Sequence, residues 1–319
     1  MAVVKTDLIE YRTKLREFTY GDYPDYLTAF VEEADKRGIG VHAWVQDFYV
    51  GYKETTPLVQ RHPDWMLVSQ SGSIRHTTEG QGFGGYLFLD PANSEVRDFL
   101  LSLYDDILTR VPKLRGLNLD YIRYPISVLE DGTDTGYTEA SMTGFAEKMG
   151  LTLDENNKRE SLLRHIIDGE LEQEWIAHRA QNITDFVAQV HDMVTERHPG
   201  KLISTAVFSE VEMTYKLKKQ NVRVWLERGY INMVTPMVYF YEAEQVYEAV
   251  KKLTDICSGV NCYSGLYTTY HSQTVEELNE HIDVSLKAGA KGIVLFDSAK
   301  TFFENNVDYP TYLKEKFGR

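Results

Sequence analysis

Cysteine is almost missing from this sequence: Cys257 and Cys262 are the only two in 319 residues. Their C-x4-C spacing has no second pair and no nearby histidine, which argues against a zinc site and leaves two reduced structural thiols. Long hydrophobic runs are missing as well. No stretch approaches the roughly 20 apolar residues of a membrane helix, and Lys5, Thr6 and Asp7 follow Met1 without the apolar core of a signal peptide. Positive charge is in deficit, with 34 Lys and Arg against 48 Asp and Glu and a net charge of −14. No basic face is present to meet a phosphate backbone, so nucleic acid is not an expected partner.

Several catalytic signatures are also absent. There is no Walker A sequence, no H-E-x-x-H and no G-x-S-x-G elbow. Gly80 to Gly85 (GQGFGG) matches G-x-G-x-x-G, but polar RHTTE precedes it and YLFLD follows. A dinucleotide site needs a strand before and a helix after. No internal repeat or low-complexity tract is visible.

What the chain has in quantity is tyrosine, 21 residues, with 4 Trp beside it. Aromatic faces stack on sugar rings or bases, and they also fill ordinary cores. The length suffices for one large α/β barrel or two ordinary domains, without disulfide staples.

Strand-like and helix-like segments alternate, the pattern of a parallel sheet. Seven strands are expected, at Ala2 to Thr6, Val41 to Gln46, Gly116 to Ile122, Leu202 to Phe208, Ile231 to Tyr239, Cys262 to Thr268 and Gly292 to Asp297. Amphipathic helices are expected at Tyr26 to Arg37, Ser94 to Thr109, Glu174 to Arg197, Ala243 to Ile256 and Val275 to Ala288. Thr274 and Glu277 make a capping box for the last. Gly38 and Gly289 stand where helices should stop.

The series implies a single α/β domain over residues 1–319, a (β/α)8 TIM-type barrel whose first βα unit, with any export signal, lies upstream of this sequence. An open seven-stranded barrel, or an eighth strand supplied elsewhere, is the alternative. Irregular regions at about 50–85 and 126–172 follow strand C-terminal ends, the face on which barrel loops build active sites.

Strand alternation sorts the side chains. Val41, Ala43 and Val45 suit packing under helices, which turns His42, Trp44 and Gln46 inward, and the same logic turns Asn118 and Asp120 inward. Asp120 is the leading catalytic candidate. It ends a parallel strand, and the guanidinium of Arg123 beside it would hold it ionised as a nucleophile or base; the plainer alternative is an Arg123 pair that only fixes the turn before Pro125. Glycoside hydrolysis needs a second carboxyl group across the scissile bond. Glu210 leads for that role, ahead of Asp297, Glu212 and Glu242, and Asp7 also falls at a strand end. Trp44, Tyr239 and Tyr267 could stack on sugars, as could Trp65, which suits core packing equally well. His42 is as well suited to a structural hydrogen bond as to substrate.

GLNLDYIRYP, at residues 116–125, resembles the signature strand of glycosyl-hydrolase-like family ten, a group of bacterial envelope glycosidases. Further segments are similar in family order: GIGVHAWVQDFYVG ending at Gly51, FLDPANSEVRDFL at 88–100, WIAHRAQNITDFV at 175–187 and QNVRVWLERGYINMVTPMVY at 220–239. The resemblance implies an active-site role for Asp120, Arg123 and Tyr124, and pocket positions for Trp44, Gln220 and Tyr239. Asn221, Val222 and Asn232 depart from the family pattern, where Asp, Trp and Asp are usual.

The combined expectation is a glycoside hydrolase that cleaves a bacterial polysaccharide, with peptidoglycan-type glycan as the candidate, using two carboxylates and neither metal nor organic cofactor. Asp120 would be nucleophile or base, and Glu210 or Asp297 the proton donor. His42, Trp44, Gln46, Asn118, Arg123, Tyr124, Tyr239 and Tyr267 would bind substrate. The resemblance implies an envelope or secreted location. The alternative is a non-catalytic carbohydrate-binding barrel. A metal-dependent hydrolase would want clustered His ligands, and His42 stands alone.

Overall fold

In the computed structural model, residues 2–5, 26–257, 259–268, 274–297, 301 and 308–318 are described. Asp7 lies outside them. The chain divides into two compact units, Met1–Ile203 with Glu212–Trp225, and Ser204–Val211 with Leu226–Arg319.

In the first unit, strands β1 (Ala2–Lys5), β2 (His42–Gln46) and β3 (Gly116–Asp120) pair in parallel and in chain order. The register sets Trp44 opposite Asn118 and Gln46 opposite Asp120. Ala43 and Val45 are fully buried while His42 and Trp44 are half-buried, so the two faces of β2 differ as its alternation predicts. Helices α1 (Tyr26–Asp35) and α3 (Ser94–Arg110) stand where helices are expected, and a short helix α2 (Pro57–Arg61) lies within the stretch expected to be irregular. Helix α3 starts at Asn93, whose side chain accepts from the Glu95 N–H.

Two further helices, α4 (Glu139–Met149) and α5 (Lys158–Asp168), occupy the region expected to be irregular between 126 and 172. Their apolar faces, Met142, Phe145, Leu162 and Ile166, close over Trp175 at the start of α6 (Glu172–Arg197). Phe145 meets Trp175 edge to face, with centroids 5.0 Å apart. Helix α6 buries Ile183, Phe186, Val187, Val190 and Val194, a 3–4 spacing that lays one stripe along α3. Each such side chain, fully buried, contributes about 1.5–3 kcal/mol.

Strand β4 (Leu202–Phe208) begins in the first unit and continues in the second. Short helices α7 (Val211–Lys218) and α8 (Val222–Glu227) follow it. In the second unit β4, β5 (Met233–Met237), β6 (Asn261–Tyr267) and β7 (Gly292–Phe296) again pair in parallel and in chain order. Helices α9 (Ala243–Thr254), α10 (Val275–Lys287) and α11 (Tyr309–Phe317) bury Val246, Val250, Leu278, Ile282 and Tyr309 in one core with Val238 and Leu266. The Thr274–Glu277 capping box is present. No helix among the described residues is long and apolar enough to cross a membrane.

Candidate active site

The C-terminal ends of β2 and β3 hold the leading candidate. Trp44 stands on the neighbouring strand two residues before Gln46, the register partner of Asp120, and its indole Nε1–H donates to Asp120 Oδ2 at 2.9 Å. The N–H of Tyr121 donates to Oδ1 at 2.7 Å, and Tyr121 itself takes a left-handed φ of 55° that turns the chain out of the strand. Asp120 is 9% exposed as a residue, and its carboxyl group sits in a largely dry setting.

That setting ranks the influences on Asp120. Burial pushes the Asp120 pKa up, and the nearby Arg123 charge and the two N–H bonds pull it down without overcoming burial. Arg123 is also engaged elsewhere. Its Nη1 and Nη2 donate to Glu79 Oε1 and Oε2 at 2.8 and 3.0 Å, and Lys218 Nζ reaches the same Oε1 at 2.7 Å. Burial would raise the Glu79 carboxyl, but these two cations hold it down at about 2. Burial in turn brings Lys218 down to about 8. Glu79 lies in the long loop after β2 and Lys218 at the end of α7, so neither was visible as a site residue in the sequence.

Asp47 is a second carboxyl group beside Asp120, fully buried and bonded to the Tyr104 hydroxyl. Its N–H donates to the Asp120 carbonyl at 2.8 Å, continuing the strand ladder. Burial raises its pKa far above the usual carboxylate range, and the Asp120 charge adds to the rise. A group so enclosed has no path to substrate, and its effect on Asp120 is electrostatic.

The other expected residues of the first unit take more interior places. Asn118 and Gln46 are 4% and 9% exposed, and Tyr124 and Gln220 are fully buried. His42 Nδ1–H points to the Leu117 carbonyl at 3.3 Å, and burial lowers its pKa. Trp65 packs in the core, stacked on His62, and donates to Glu95 at 3.0 Å.

In the second unit, Tyr239, Tyr267 and Phe296 form an aromatic cluster at the strand ends, with centroid separations of 5.0 Å for the tyrosine pair and 5.4 Å for Tyr267 to Phe296. Glu210, just past β4, accepts from Lys252 Nζ on both carboxylate oxygens at 3.2 Å. Asp297 follows β7 half-buried, its carbonyl accepting the Thr301 N–H at 3.0 Å.

Known proteins place the chain. An S-layer-related protein of Niallia circulans is 24% identical over 222 residues, covering 66% of this chain and 13% of that protein. The glycosyl hydrolase DigH of Escherichia coli (strain K12) is 26% identical over 231 residues, covering 69% of this chain and 48% of DigH. The chain thus spans about half of one curated relative and a small part of the other. In structure, a β-galactosidase from the psychrophilic Marinomonas ef1, 13% identical, matches 93% of this chain and 49% of its own with a TM-score of 0.61. That likeness is one of fold, and it relates the consecutive parallel βα series to the barrels of glycosidases. The family model described as glycosyl hydrolase-like 10 matches residues 5–283, the stretch that carries the LDYIRYP strand, and the chain belongs to that family.

Proposed function

We propose that the protein is a glycoside hydrolase that cleaves a bacterial polysaccharide, of peptidoglycan or related amino-sugar type, with Asp120 as its proton donor. The observation that carries this reading is the Asp120 carboxyl group itself. It ends a parallel strand, is fixed by Trp44 and the Tyr121 N–H, and is pushed toward its protonated form by burial. A glycosidic oxygen leaves poorly as an alkoxide, so bond cleavage asks one partner to deliver a proton, and a carboxyl group whose burial favours the protonated form suits that part.

The second carboxyl group is assigned to Glu210 or Asp297. Each stands just past the C-terminal end of a parallel strand, and Asp120 is the last residue of one. Tyr239 and Tyr267 supply apolar faces for sugar stacking. Action at the bacterial envelope fits the family and its S-layer-related relative.

The test is cleavage of soluble peptidoglycan glycan strands by the wild-type chain and by Asp120→Asn, Glu210→Gln and Asp297→Asn, each made singly. Asp120→Asn should lower cleavage by at least about a thousandfold while glycan binding persists, and one of the other two should do the same. Wild-type protein that binds glycan and releases no new reducing ends would replace this reading with a carbohydrate-binding one.

A further inference from the structure

The glycine-rich segment Gly80 to Gly85, which lacks the context of a nucleotide loop, does something else. Gly80 and Gly84 take φ of 67° and 74°, and a Cβ at Gly80 would stand 2.2 Å from the Tyr86 ring. Only glycine lets the chain turn there, flat against that tyrosine. The Phe83 N–H donates to the Gly80 carbonyl at 2.9 Å and the Gly85 N–H to the same oxygen at 3.1 Å, while His76 and Tyr86 bridge the base of the loop. The result is a pinned tip that holds Phe83 out in solvent at 55% exposure.

Phe83 is not alone there. Tyr52, 37% exposed, stacks on it with centroids 4.6 Å apart and 25° between planes. Its backbone carbonyl accepts from Arg75, which is also tied to Glu54 at 2.6 Å. From Phe83 the aromatic contacts run inward, to Tyr86 at 6.4 Å, then Tyr49 at 4.8 Å, then Tyr121 at 4.6 Å. Tyr121 is the residue whose N–H holds Asp120. A row of rings therefore leads from the candidate acid to a rigid, exposed pair. Exposed apolar rings that are held in place by a hydrogen-bonded loop are what a chain of sugars can lie against, its C–H faces on the rings and its hydroxyls in water.

We propose that Tyr52 and Phe83 form a distal sugar-binding subsite, so that the protein engages an extended glycan chain of several sugars rather than a single terminal residue. This rests on the reading of Asp120 as the hydrolytic carboxyl group and specifies the substrate that site takes. The outer pair anchors the chain, and the packed rings of Tyr86, Tyr49 and Tyr121 support that pair and tie it to the Asp120 strand.

Calorimetric titration of the full chain carrying Asp120→Asn, with N-acetylglucosamine oligomers of two and six sugars, tests this without turnover. Adding Tyr52→Ala and Phe83→Ala together should weaken six-sugar binding about tenfold and two-sugar binding less than twofold. Phe83→Trp, which keeps a ring at the tip, should retain the six-sugar affinity. An unchanged melting temperature in the double variant shows that the fold is intact. Equal affinity for the six-sugar oligomer with and without the rings, parallel loss for both oligomers, or no binding of either to the parent would overturn the proposal. If instead the wild-type chain cleaves no glycan but the ring-dependent difference appears, the subsite stands and the hydrolase reading fails.

Discussion

The indole N–H of Trp44 and the carboxyl group of Asp120 meet at 2.9 Å across two adjacent parallel strands, β2 and β3. The donor favours the charged form of the carboxyl group, so it opposes the rise that burial imposes. Trp44→Phe keeps the ring and removes the donor. The Asp120 pKa should then rise further, and the alkaline limb of kcat/KM against pH should move to higher pH by about one unit, the worth of a hydrogen bond to a charged group. Rates at the optimum should fall about tenfold as the carboxyl group loses its fixed orientation. A pH–rate profile of the variant checks both effects, and a limb that stays put would remove Trp44 from the titration of the acid.

Glu79 lends itself to a stability test. It is held at about 2 by Arg123 and Lys218, against an unfolded value near 4.5. A depressed carboxyl contributes stability that is complete above the unfolded pKa and is lost as pH falls toward the folded one. The wild-type chain should therefore lose about 3 kcal/mol between roughly pH 4.5 and 2 from this group. Glu79→Gln should lack that component and be less stable at pH 7 by about 3 kcal/mol, because two buried cations lose their counter-charge. Denaturant midpoints measured against pH decide it. The same variant leaves the Arg123 and Lys218 charges uncompensated near Asp120, so the alkaline limb of activity should shift to lower pH.

His76 supplies an opposite kind of titration. Burial lowers its pKa to about 4, and its Nε2–H donates to the Leu67 carbonyl at 3.1 Å, so the ring stays neutral in the folded chain. The unfolded chain takes up the proton near pH 6.5, so stability falls as pH drops from about 6.5 to about 4, by about 3 kcal/mol. His76→Gln retains a donor for Leu67 and should flatten this part of the stability–pH curve. NMR of the His76 ring protons should show no titration above pH 5.

The strands were legible because their alternation is strong: all seven lie within two residues of the expected ends. Helices α4 and α5 were not, since Gly144 and Thr143 interrupt one and charged residues crowd the start of the other. The family was legible in GLNLDYIRYP. The electrostatics of Asp120 were not. Arg123 stands three residues from Asp120 in sequence, but its charge is met by Glu79, 44 residues away, which in turn takes Lys218 from 139 residues away. Partners at such separations leave no local pattern. Asp47, one residue past β2, was within reach of the strand argument, yet only the fold shows that it is sealed against Tyr104.

Gly116 opens the strand that ends in Asp120, and its lack of a side chain is a matter of space rather than of backbone angle. A Cβ there would stand 1.8 Å from the Leu202 carbonyl oxygen and 2.7 Å from its carbon. Leu202 cannot simply withdraw, because its N–H donates to the Arg115 carbonyl at 2.9 Å, and the Arg115 N–H donates in turn to the Val41 carbonyl at 2.7 Å. Gly116→Ala must therefore move backbone rather than a flexible side chain, and overpacking of that kind should cost at least about 3 kcal/mol. Gly82 offers the matched control, since a Cβ there would meet nothing within 4 Å. Gly82→Ala should be neutral or slightly stabilising, by up to about 1 kcal/mol through the unfolded chain. Urea midpoints of the two variants side by side separate these outcomes. If Gly116→Ala unfolds at the wild-type midpoint, β3 does not hold the close backbone approach that fixes the start of the Asp120 strand.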